Sequence, residues 1–368
     1  MNKKFKIKHI DSLGQGFSSY DDELIFIPRT LPSEEGLCEI TAKKGRVQFG
    51  KLISLEKSSS ERITPTCPHY EDCSGCDYLH TQYENEIKFK QDALKDIFLR
   101  QHRFANIPDI KIHEAPSREG YRNRIQLHYD KKKKVIGFKS HDHSITPVNQ
   151  CLVPNDDIQT KLKELYENNS WLELVKKEKP KGHIELYFKN RELNININKY
   201  YAAEGFSQVN EAMNDKLHEL LSDYFSKNKS EEIVDLFGGA GNITKNATSE
   251  RILVVDSTDK KFINLQNNKQ EYYQINLYHR NSLADLKKLK FKTGQTLVLD
   301  PPRSGLKNID NFTQKISPNS ILYVSCNPQT LARDLKKIED QYLLEDLYLL
   351  DFFPGTKHFE TVAIMNRK

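Results

Sequence analysis

The sequence lacks any apolar run approaching the roughly 20 residues that cross a bilayer, and its basic first residues, 1–9, lack the apolar core of a secretory leader. It has no internal repeat and only one Trp and six Cys among 368 residues. With 37% hydrophobic and 29% charged residues, the composition excludes a disordered or membrane-embedded protein. We therefore expect a soluble, cytoplasmic protein with no membrane partner. A monomer is also expected, although the composition does not decide it.

The length exceeds that of one ordinary domain, so several units are expected. Residues 6–55 form short strand-like runs broken by Gly and Pro, which favours a small OB-type β-barrel. The following region combines a helical pattern at 82–99, hairpin-like strands at 121–139 and 183–200, and a helix at 156–168. This mixture predicts a central α+β region.

The C-terminal part alternates strands with helices, which predicts a Rossmann-like α/β domain with a parallel sheet. Its predicted strands are Glu232–Leu236, Ile252–Val255, Thr296–Leu299, Ile321–Val324 and Val362–Met365. The sequence thus predicts a multi-domain chain with boundaries at 1–58, 59–202 and 203–368.

One cysteine stands at the end of a predicted strand, in the run Val-Ser-Cys-Asn-Pro that contains Cys326. A helical pattern begins directly after it, and a helix start is expected to lower the pKa of the thiol. Another predicted strand ends in Leu-Asp-Pro-Pro-Arg (299–303), which by itself also fits a Pro-stiffened turn. Further on, His358 and Glu360 precede the last strand and offer groups for proton transfer. The pattern indicates covalent catalysis by Cys326.

A glycine-rich run, Asp-Leu-Phe-Gly-Gly-Ala-Gly-Asn (235–242), follows the first strand of the α/β domain and is predicted to enter a helix. Ligands of open α/β sheets bind at such carboxyl ends, and Asp256 at the next strand end is spaced to meet a ribose. A dinucleotide site would also use such a turn. Because the Gly-x-Gly-x-x-Gly fingerprint is absent, S-adenosylmethionine is the favoured ligand.

Four cysteines have the spacing of a metal site: Cys67, Cys73, Cys76 and Cys151. Disulfides are disfavoured in the cytoplasm, and four thiolates suit either zinc or an iron-sulfur cluster. Spacing does not decide between the two. Cys38 falls in the predicted barrel and is interpreted as a small buried hydrophobe.

The net charge of +5 only weakly favours a polyanionic partner. Four consecutive lysines, Lys131 to Lys134, lie between two strand-like runs. The simplest interpretation of this lysine run is a solvated hairpin turn.

Taken together, Asp-Leu-Phe-x-Gly-x-Gly-Asn, Asp-Pro-Pro-Arg, Ser-Cys-Asn-Pro and His-Phe-Glu resemble the motifs of the RNA uracil-C5 methyltransferases, over nearly the whole chain. By that resemblance the N-terminal barrel is a TRAM domain, and the four spaced cysteines hold a [4Fe-4S] cluster. The architecture is similar to the branch that acts on 23S ribosomal RNA, and the tRNA-directed branch is the alternative.

The resemblance also implies roles for individual residues. It makes Cys326 the nucleophile, Glu360 the base and Arg122 the arginine on the substrate side. His358 is an alternative base, although a structural or phosphate-contacting role is favoured. The residues implied in holding S-adenosylmethionine are Gln208, Phe237, Asn242, Asp256, Asn281 and Asp300, the last of which would also line the uracil pocket.

Three other functions fit the sequence less well. Cytosine-C5 methylation commonly needs a second cysteine at the Asp-Pro motif, which Pro302-Arg303 does not provide. Adenine-N6 methylation normally places an aromatic residue where Arg303 stands and needs no thiol. A non-catalytic RNA-binding or folding factor would not need Cys326 and Glu360, both of which are present.

Overall fold

The computed structural model describes residues 1–20, 23–140, 142–189, 191–199, 208–292 and 294–368. Contacts divide the chain into two units. The first comprises Met1–Ala93, Ala115–Ala212 and Phe352–Lys357, and the second Leu94–Glu114, Met213–Asp351 and His358–Lys368. The predicted boundary at 202/203 lies outside the described residues, so the three-domain division stays a prediction.

The first unit begins with a closed five-stranded barrel of order β1-β2-β3-β5-β4. Alternate residues point inward, because successive strand side chains face opposite sides, and they form a core of Phe5, Ile7, Ile25, Ile27 and Cys38. The predicted N-terminal barrel is confirmed, as is the burial of Cys38. The strands are β1 (Asn2–Ile10), β2 (Gln15–Tyr20), β3 (Glu23–Pro28), β4 (Glu35–Lys44) and β5 (Val47–Lys57).

A helix follows the barrel where the helical pattern was predicted. Helix α1 (Tyr83–Asp96) continues as a π-helical turn, Ile97–Gln101, and precedes β6 (Ile110–His113). The apolar residues expected on one helix side are all buried, namely Ile87, Leu94, Ile97 and Phe98.

The first unit also holds an antiparallel sheet of order β11-β10-β7-β8-β9. Helices α2 (Asp156–Tyr166) and α3 (Trp171–Leu174) share a core with the inward residues of β7, β8 and β10. The lysine run 131–134 forms the hairpin turn between β7 and β8, as predicted. The strands are β7 (Arg124–Asp130), β8 (Val135–Lys139), β9 (Ile145–Thr146), β10 (Lys181–Lys189) and β11 (Glu192–Ile197).

The second unit is built on an eight-stranded sheet of order β14-β13-β12-β15-β16-β18-β17-β6. Strands β12 to β16 run parallel, and β18 is antiparallel to both of its neighbours. In chain order the elements are α4 (Glu211–Lys227), β12 (Glu232–Leu236), β13 (Arg251–Asp256), β14 (Gln270–Gln274), α5 (Ser282–Leu286), β15 (Thr296–Leu299), α6 (Ile309–Ile316), β16 (Ser320–Ser325), α7 (Pro328–Lys336), β17 (Tyr342–Leu350) and β18 (Glu360–Arg367).

The strand order reverses between β12 and β15, because the chain moves outward through β13 and β14 and then returns to β15. Ligands of open α/β sheets bind at the carboxyl ends of strands at such a reversal. The predicted Rossmann-like domain is confirmed, and a ligand is expected at this reversal. Among the described residues, no helix is both long and apolar enough to cross a membrane.

Candidate active site and cysteine cavity

The glycine-rich turn leaves β12 at the strand reversal and has a strained backbone. Phe237 has a φ of 63°, and Gly239 and Gly241 also have positive φ. A Cβ on Gly238 would lie 2.8 Å from both Asp235 Cγ and Val254 Cγ1, so only glycine fits there. The predicted helix after this turn is wrong: the described chain from 237 to 250 consists of turns and loops. Three glycines within five residues disfavour a helix, because glycine loses the most backbone entropy on ordering.

Side chains beneath the turn hold its shape. Thr244 Oγ1 donates to Asp235 Oδ2 at 2.7 Å, and Gln270 Nε2 donates to the Gly241 carbonyl at 2.7 Å. Burial raises the pKa of Asp235 to about 7, and the charges of Asp300 and Asp256 act in the same direction. The turn is therefore fixed by buried hydrogen bonds in place of a helix.

Asp256 lies at the carboxyl end of β13, beside this turn. Its Oδ2 accepts from the Gly239 amide at 3.2 Å, and its Oδ1 accepts from the Thr258 amide at 2.8 Å. A carboxylate offers about four acceptor sites. Because Oδ1 also accepts from Thr258 Oγ1 at 2.7 Å, three of these sites are used and about one is left for a ribose hydroxyl.

The other residues expected at the cofactor differ in their setting. The Phe237 ring lies 5.3 Å from the Tyr278 ring, centroid to centroid. Asn242 and Asn281 are exposed, the latter at the start of α5. Gln208 belongs to the first unit, where its carbonyl accepts from Asn123 Nδ2 at 3.1 Å. The cofactor roles of all these residues stay predictions.

Cys326 follows β16 and stands one residue before Asn327, which caps α7 by accepting from the Gln329 amide at 3.2 Å. The expected position before a helix start is thus confirmed, but the expected effect on the thiol is wrong. Burial, followed by the charge of Glu360, raises the pKa of Cys326 to about 11. Desolvation and a neighbouring acid both oppose a thiolate, and here they outweigh the helix terminus.

Glu360, the first residue of β18, lies next to this thiol. The antiparallel ladder pairs Ser325 with Thr361, so Cys326 and Glu360 occupy the next pair of positions. Glu360 is only 6% exposed. Burial and then the charge of Asp300 raise its pKa well above the ordinary range, and Arg303 opposes them.

Asp300 is contributed by the end of β15, the strand that pairs with β16. Although Asp300 keeps some contact with solvent, its packing raises the pKa of its carboxyl to about 7. Asp300 and Glu360 both oppose ionisation of the Cys326 thiol. Two carboxyls and one thiol therefore share a poorly solvated site.

Arg303 is a functional candidate that sequence reasoning missed. Its guanidinium hydrogen-bonds the Cys326 thiol and lowers the thiol pKa. Its carbonyl accepts from Asn327 Nδ2 at 3.0 Å, which ties the Asp-Pro-Pro-Arg turn to the start of α7. Its place in that motif, three residues after Asp300, was the available clue. The alternative base His358 is exposed, whereas Phe359 and Glu360 are buried.

The four spaced cysteines line one cavity of about 330 Å³ in the first unit. Their thiols are free of disulfides. Burial, together with the other cysteines, raises the pKa of Cys76 well above normal and that of Cys151 to about 11. Within the described residues, however, no three His, Cys, Asp or Glu side chains are grouped to hold a metal ion. The structure therefore brings the four predicted cysteines to one cavity but does not show the expected metal site among the described residues.

Arginines hold and line this cavity. Arg29 donates to the carbonyls of Tyr70, Glu71, Cys73 and Cys76, which fixes the path of the cysteine loop, residues 67–76. Arg122 lies in the cavity lining, and its Nε donates to the Arg124 carbonyl at 2.8 Å. Its substrate-side role stays a prediction.

The strand order of the second unit and the glycine-rich turn at its reversal define the class of S-adenosylmethionine-dependent methyltransferases. The family model for tRNA (uracil-5-)-methyltransferase matches residues 156–368. The chain therefore belongs to this family of RNA uracil-C5 methyltransferases.

Individual relatives match over nearly their whole length. The 23S rRNA (uracil(1939)-C(5))-methyltransferase RlmD of Vibrio parahaemolyticus is 29% identical, with 98% of this chain and 95% of the relative covered. The enzyme of the same name from Shewanella sediminis is 28% identical, with coverage of 98% and 94%. In fold, the chain is similar to the Pyrococcus abyssi tRNA (uracil-54, C5)-methyltransferase in complex with S-adenosyl-L-homocysteine. That match has a TM-score of 0.69 at 19% identity and covers 99% of this chain and 100% of the other.

Proposed function

We propose that this protein transfers a methyl group from S-adenosylmethionine to carbon 5 of a uracil in 23S ribosomal RNA, in the cytoplasm. The observation that carries the proposal is the position of Cys326 next to Glu360 and near Asp300. Asp300 and Cys326 follow the carboxyl ends of β15 and β16, and Glu360 begins the antiparallel strand β18 at the same edge of the sheet. The choice of ribosomal RNA follows the similarity, over nearly the full length, to methyltransferases that act on 23S rRNA.

The thiol begins the reaction. Carbon 5 of uracil is too weak a nucleophile to attack the sulfonium methyl group, but addition of the Cys326 thiolate at carbon 6 converts the ring into an enolate. Carbon 5 then takes the methyl group, and S-adenosylhomocysteine leaves. Arg303, hydrogen-bonded to the thiol, favours the thiolate that this step needs.

The second half of the reaction needs a base. Carbon 5 of the methylated adduct still carries its proton, and Glu360 is the group that removes it. As that proton leaves, the carbon 5–carbon 6 double bond forms again and the sulfur is expelled. The raised pKa of the Glu360 carboxyl makes it a stronger base than an exposed carboxylate once it is ionised.

Asp300 has a separate role in this proposal. Its pKa of about 7 leaves a substantial protonated fraction at neutral pH. A protonated carboxyl can donate a hydrogen bond, so Asp300 can stabilise the uracil oxygen on which negative charge develops as the thiolate adds. The same residue lines the cofactor side of the pocket by resemblance.

The target base must leave the RNA stack to reach the thiol. A basic cavity of about 620 Å³ in the first unit is suited to hold the surrounding phosphates. It lies on the sheet face opposite α2. Leu127 and Ile184 point into the core shared with α2, so their strand neighbours His128 and His183 point to the other face. Its lining includes Lys133, Lys139, Lys181, His128, His143 and His183 against one acid, Asp130.

The four cysteines of the cysteine cavity fit a [4Fe-4S] cluster, for which they would supply all four ligands. One observation supports this: the four thiols line a single cavity in the first unit. Zinc is the alternative. In either case the group would cross-link the cysteine loop to the chain at Cys151 and take no part in methyl transfer.

Trapping the covalent intermediate tests the function. RNA carrying 5-fluorouridine at the target position cannot lose its carbon 5 substituent, so the wild-type protein should form a stable protein–RNA adduct after methyl transfer. Cys326→Ala should give neither adduct nor methylated RNA. An adduct that survives this substitution would assign the nucleophile elsewhere.

The base and the RNA class have their own readouts. Glu360→Gln should methylate ordinary RNA once and remain attached to it, because the carbon 5 proton is not removed. Normal turnover by this variant would refute the role of Glu360.

Mapping of 5-methyluridine in cells with and without the protein distinguishes ribosomal RNA from transfer RNA. Transfer RNA is the substrate that the name of the family mentions.

A further inference from the structure

The chain that leads into Glu360 is held by hydrogen bonds from several parts of the first unit to its backbone carbonyls. Residues 352–357 connect β17 to β18 and belong to the first unit. Their carbonyls accept from Asn210, Lys90, Tyr121 and the amides of Asp77 and Tyr78. Only His358 and Phe359 separate this anchored segment, residues 352–357, from Glu360.

A buried ion network fixes the middle of the anchored segment. The fully buried Glu86 accepts from the Gly355 amide at 2.7 Å and from Lys90 Nζ at 2.7 Å. Arg118 also pairs with Glu86, at 2.8 Å. Buried charges are tolerated only when they are paired and hydrogen-bonded. A network of this kind therefore holds Gly355 in one position.

The cysteine loop reaches the same segment. Asp77, next to Cys76, donates from its amide to the Gly355 carbonyl at 2.8 Å and accepts from the Lys357 amide on Oδ2 at 2.9 Å. Gly355 has a φ of +81°, and a Cβ there would lie 3.9 Å from Cys76 Sγ. Cys76, which lines the cysteine cavity, is therefore the chain neighbour of Asp77, the residue that holds Gly355 and Lys357.

We propose that the cysteine loop, acting through Asp77, is a positioning element for the chain that carries Glu360. The inference rests on the proposed function and deepens it. In the reaction, thiolate addition and methyl transfer precede the use of the base. Loosening the anchored segment should therefore slow proton removal and release while leaving the earlier steps intact.

The test uses the full-length protein with an unmodified 23S rRNA transcript tritiated at carbon 5 of uridine. Asp77→Ala removes the acceptor of the Lys357 amide. It should give a normal single round of methyl transfer, followed by tritium release slowed about 10- to 100-fold, the range expected from misplacing a catalytic group by about 1 Å. The covalent protein–RNA adduct should accumulate over the same period.

Two variants complete the design. Asp77→Asn keeps an oxygen that accepts from the Lys357 amide and should restore most of the release rate. Asp72→Asn makes the same change of charge at an exposed position of the cysteine loop and should behave as wild type.

Tyr121→Phe is a milder second perturbation, since it removes the hydroxyl that donates to the Pro354 carbonyl at 3.1 Å. It should also slow release, by a smaller factor, and it keeps the test valid if Asp77→Ala does not fold. The positioning role is refuted if neither variant accumulates adduct, whether turnover is unchanged or all steps fall together. If the wild-type protein itself neither methylates the transcript nor forms an adduct, the proposed function fails instead.

Discussion

The reactivity of Cys326 in the free protein should depend on pH in a way that reports its surroundings. With a pKa of about 11, about 1 thiol in 1,000 is ionised at about pH 8, compared with about 1 in 10 for a thiol at the ordinary value of 9.0. The thiolate of a less acidic thiol is intrinsically more nucleophilic. With a Brønsted coefficient of about 0.4–0.5, the higher pKa makes each Cys326 thiolate about tenfold more reactive. Alkylation of Cys326 should therefore be about tenfold slower than that of an unperturbed cysteine.

The assay is timed labelling with iodoacetamide between about pH 7 and about pH 10, with the Cys326 peptide quantified by mass spectrometry. Because the folded-state pKa is raised, the labelling rate should still be rising at the top of this range. Peptide mapping separates Cys326 from the four cavity cysteines. A rate that reaches its plateau below about pH 9 would show that the start of α7 outweighs burial, and would refute this reasoning.

Substitutions of the two charged neighbours sharpen this prediction. Glu360→Gln removes a negative charge, lowers the thiol pKa and should speed labelling even though turnover falls. Arg303→Ala removes the opposing positive charge, raises the thiol pKa and should slow the labelling of Cys326. If both variants label at the wild-type rate, the charges of Glu360 and Arg303 do not act on the thiol as the structure indicates.

Two further outcomes concern stability and RNA binding. Glu86→Gln should lower the free energy of unfolding by about 3–5 kcal/mol in urea titrations, because it leaves the buried Lys90 and the partly buried Arg118 without their carboxylate. The exposed Glu84→Gln should change it by less than about 0.5 kcal/mol. A loss below about 1 kcal/mol for Glu86→Gln would contradict the ion network. Lys181→Ala should weaken binding of a 23S rRNA transcript and reduce the slope of log binding constant against log salt concentration by about 1. Lys163→Ala on α2 should change neither quantity. Equal effects of both substitutions would exclude the basic cavity as the RNA surface.

The chemistry of this chain was predictable because its motifs mark the ends of strands. Asp300 and Cys326 each follow a short apolar run, and the carboxyl ends of neighbouring parallel strands meet at one sheet edge. Glu360 begins the last predicted strand, which pairs with the strand before Cys326. Local sequence therefore placed both residues at strand ends, whereas their roles as nucleophile and base came from the family resemblance and stay predictions.

Other elements carry weaker local patterns. The edge strand β14 is Gln-Glu-Tyr-Tyr-Gln, which is too polar to be recognised as a strand. A bulge between Leu344 and Asp346 breaks the alternation of β17. Strand β6 joins the sheet beside β17 from more than 200 residues away. Their positions depend on pairing partners that sequence periodicity does not reveal.

The acidity of the site could not be predicted from position either. A thiol before a helix start is expected to be acidic. The helix terminus contributes only about 0.3–1 kcal/mol when it is exposed and up to about 2 kcal/mol when it is partly buried. The rise of the Cys326 pKa from 9.0 to about 11 corresponds to about 2.7 kcal/mol in the opposite direction. The difference comes from burial and from the acids contributed by β15 and β18. Because Glu360 is one of these acids, the proposed base itself suppresses the thiolate in the free protein.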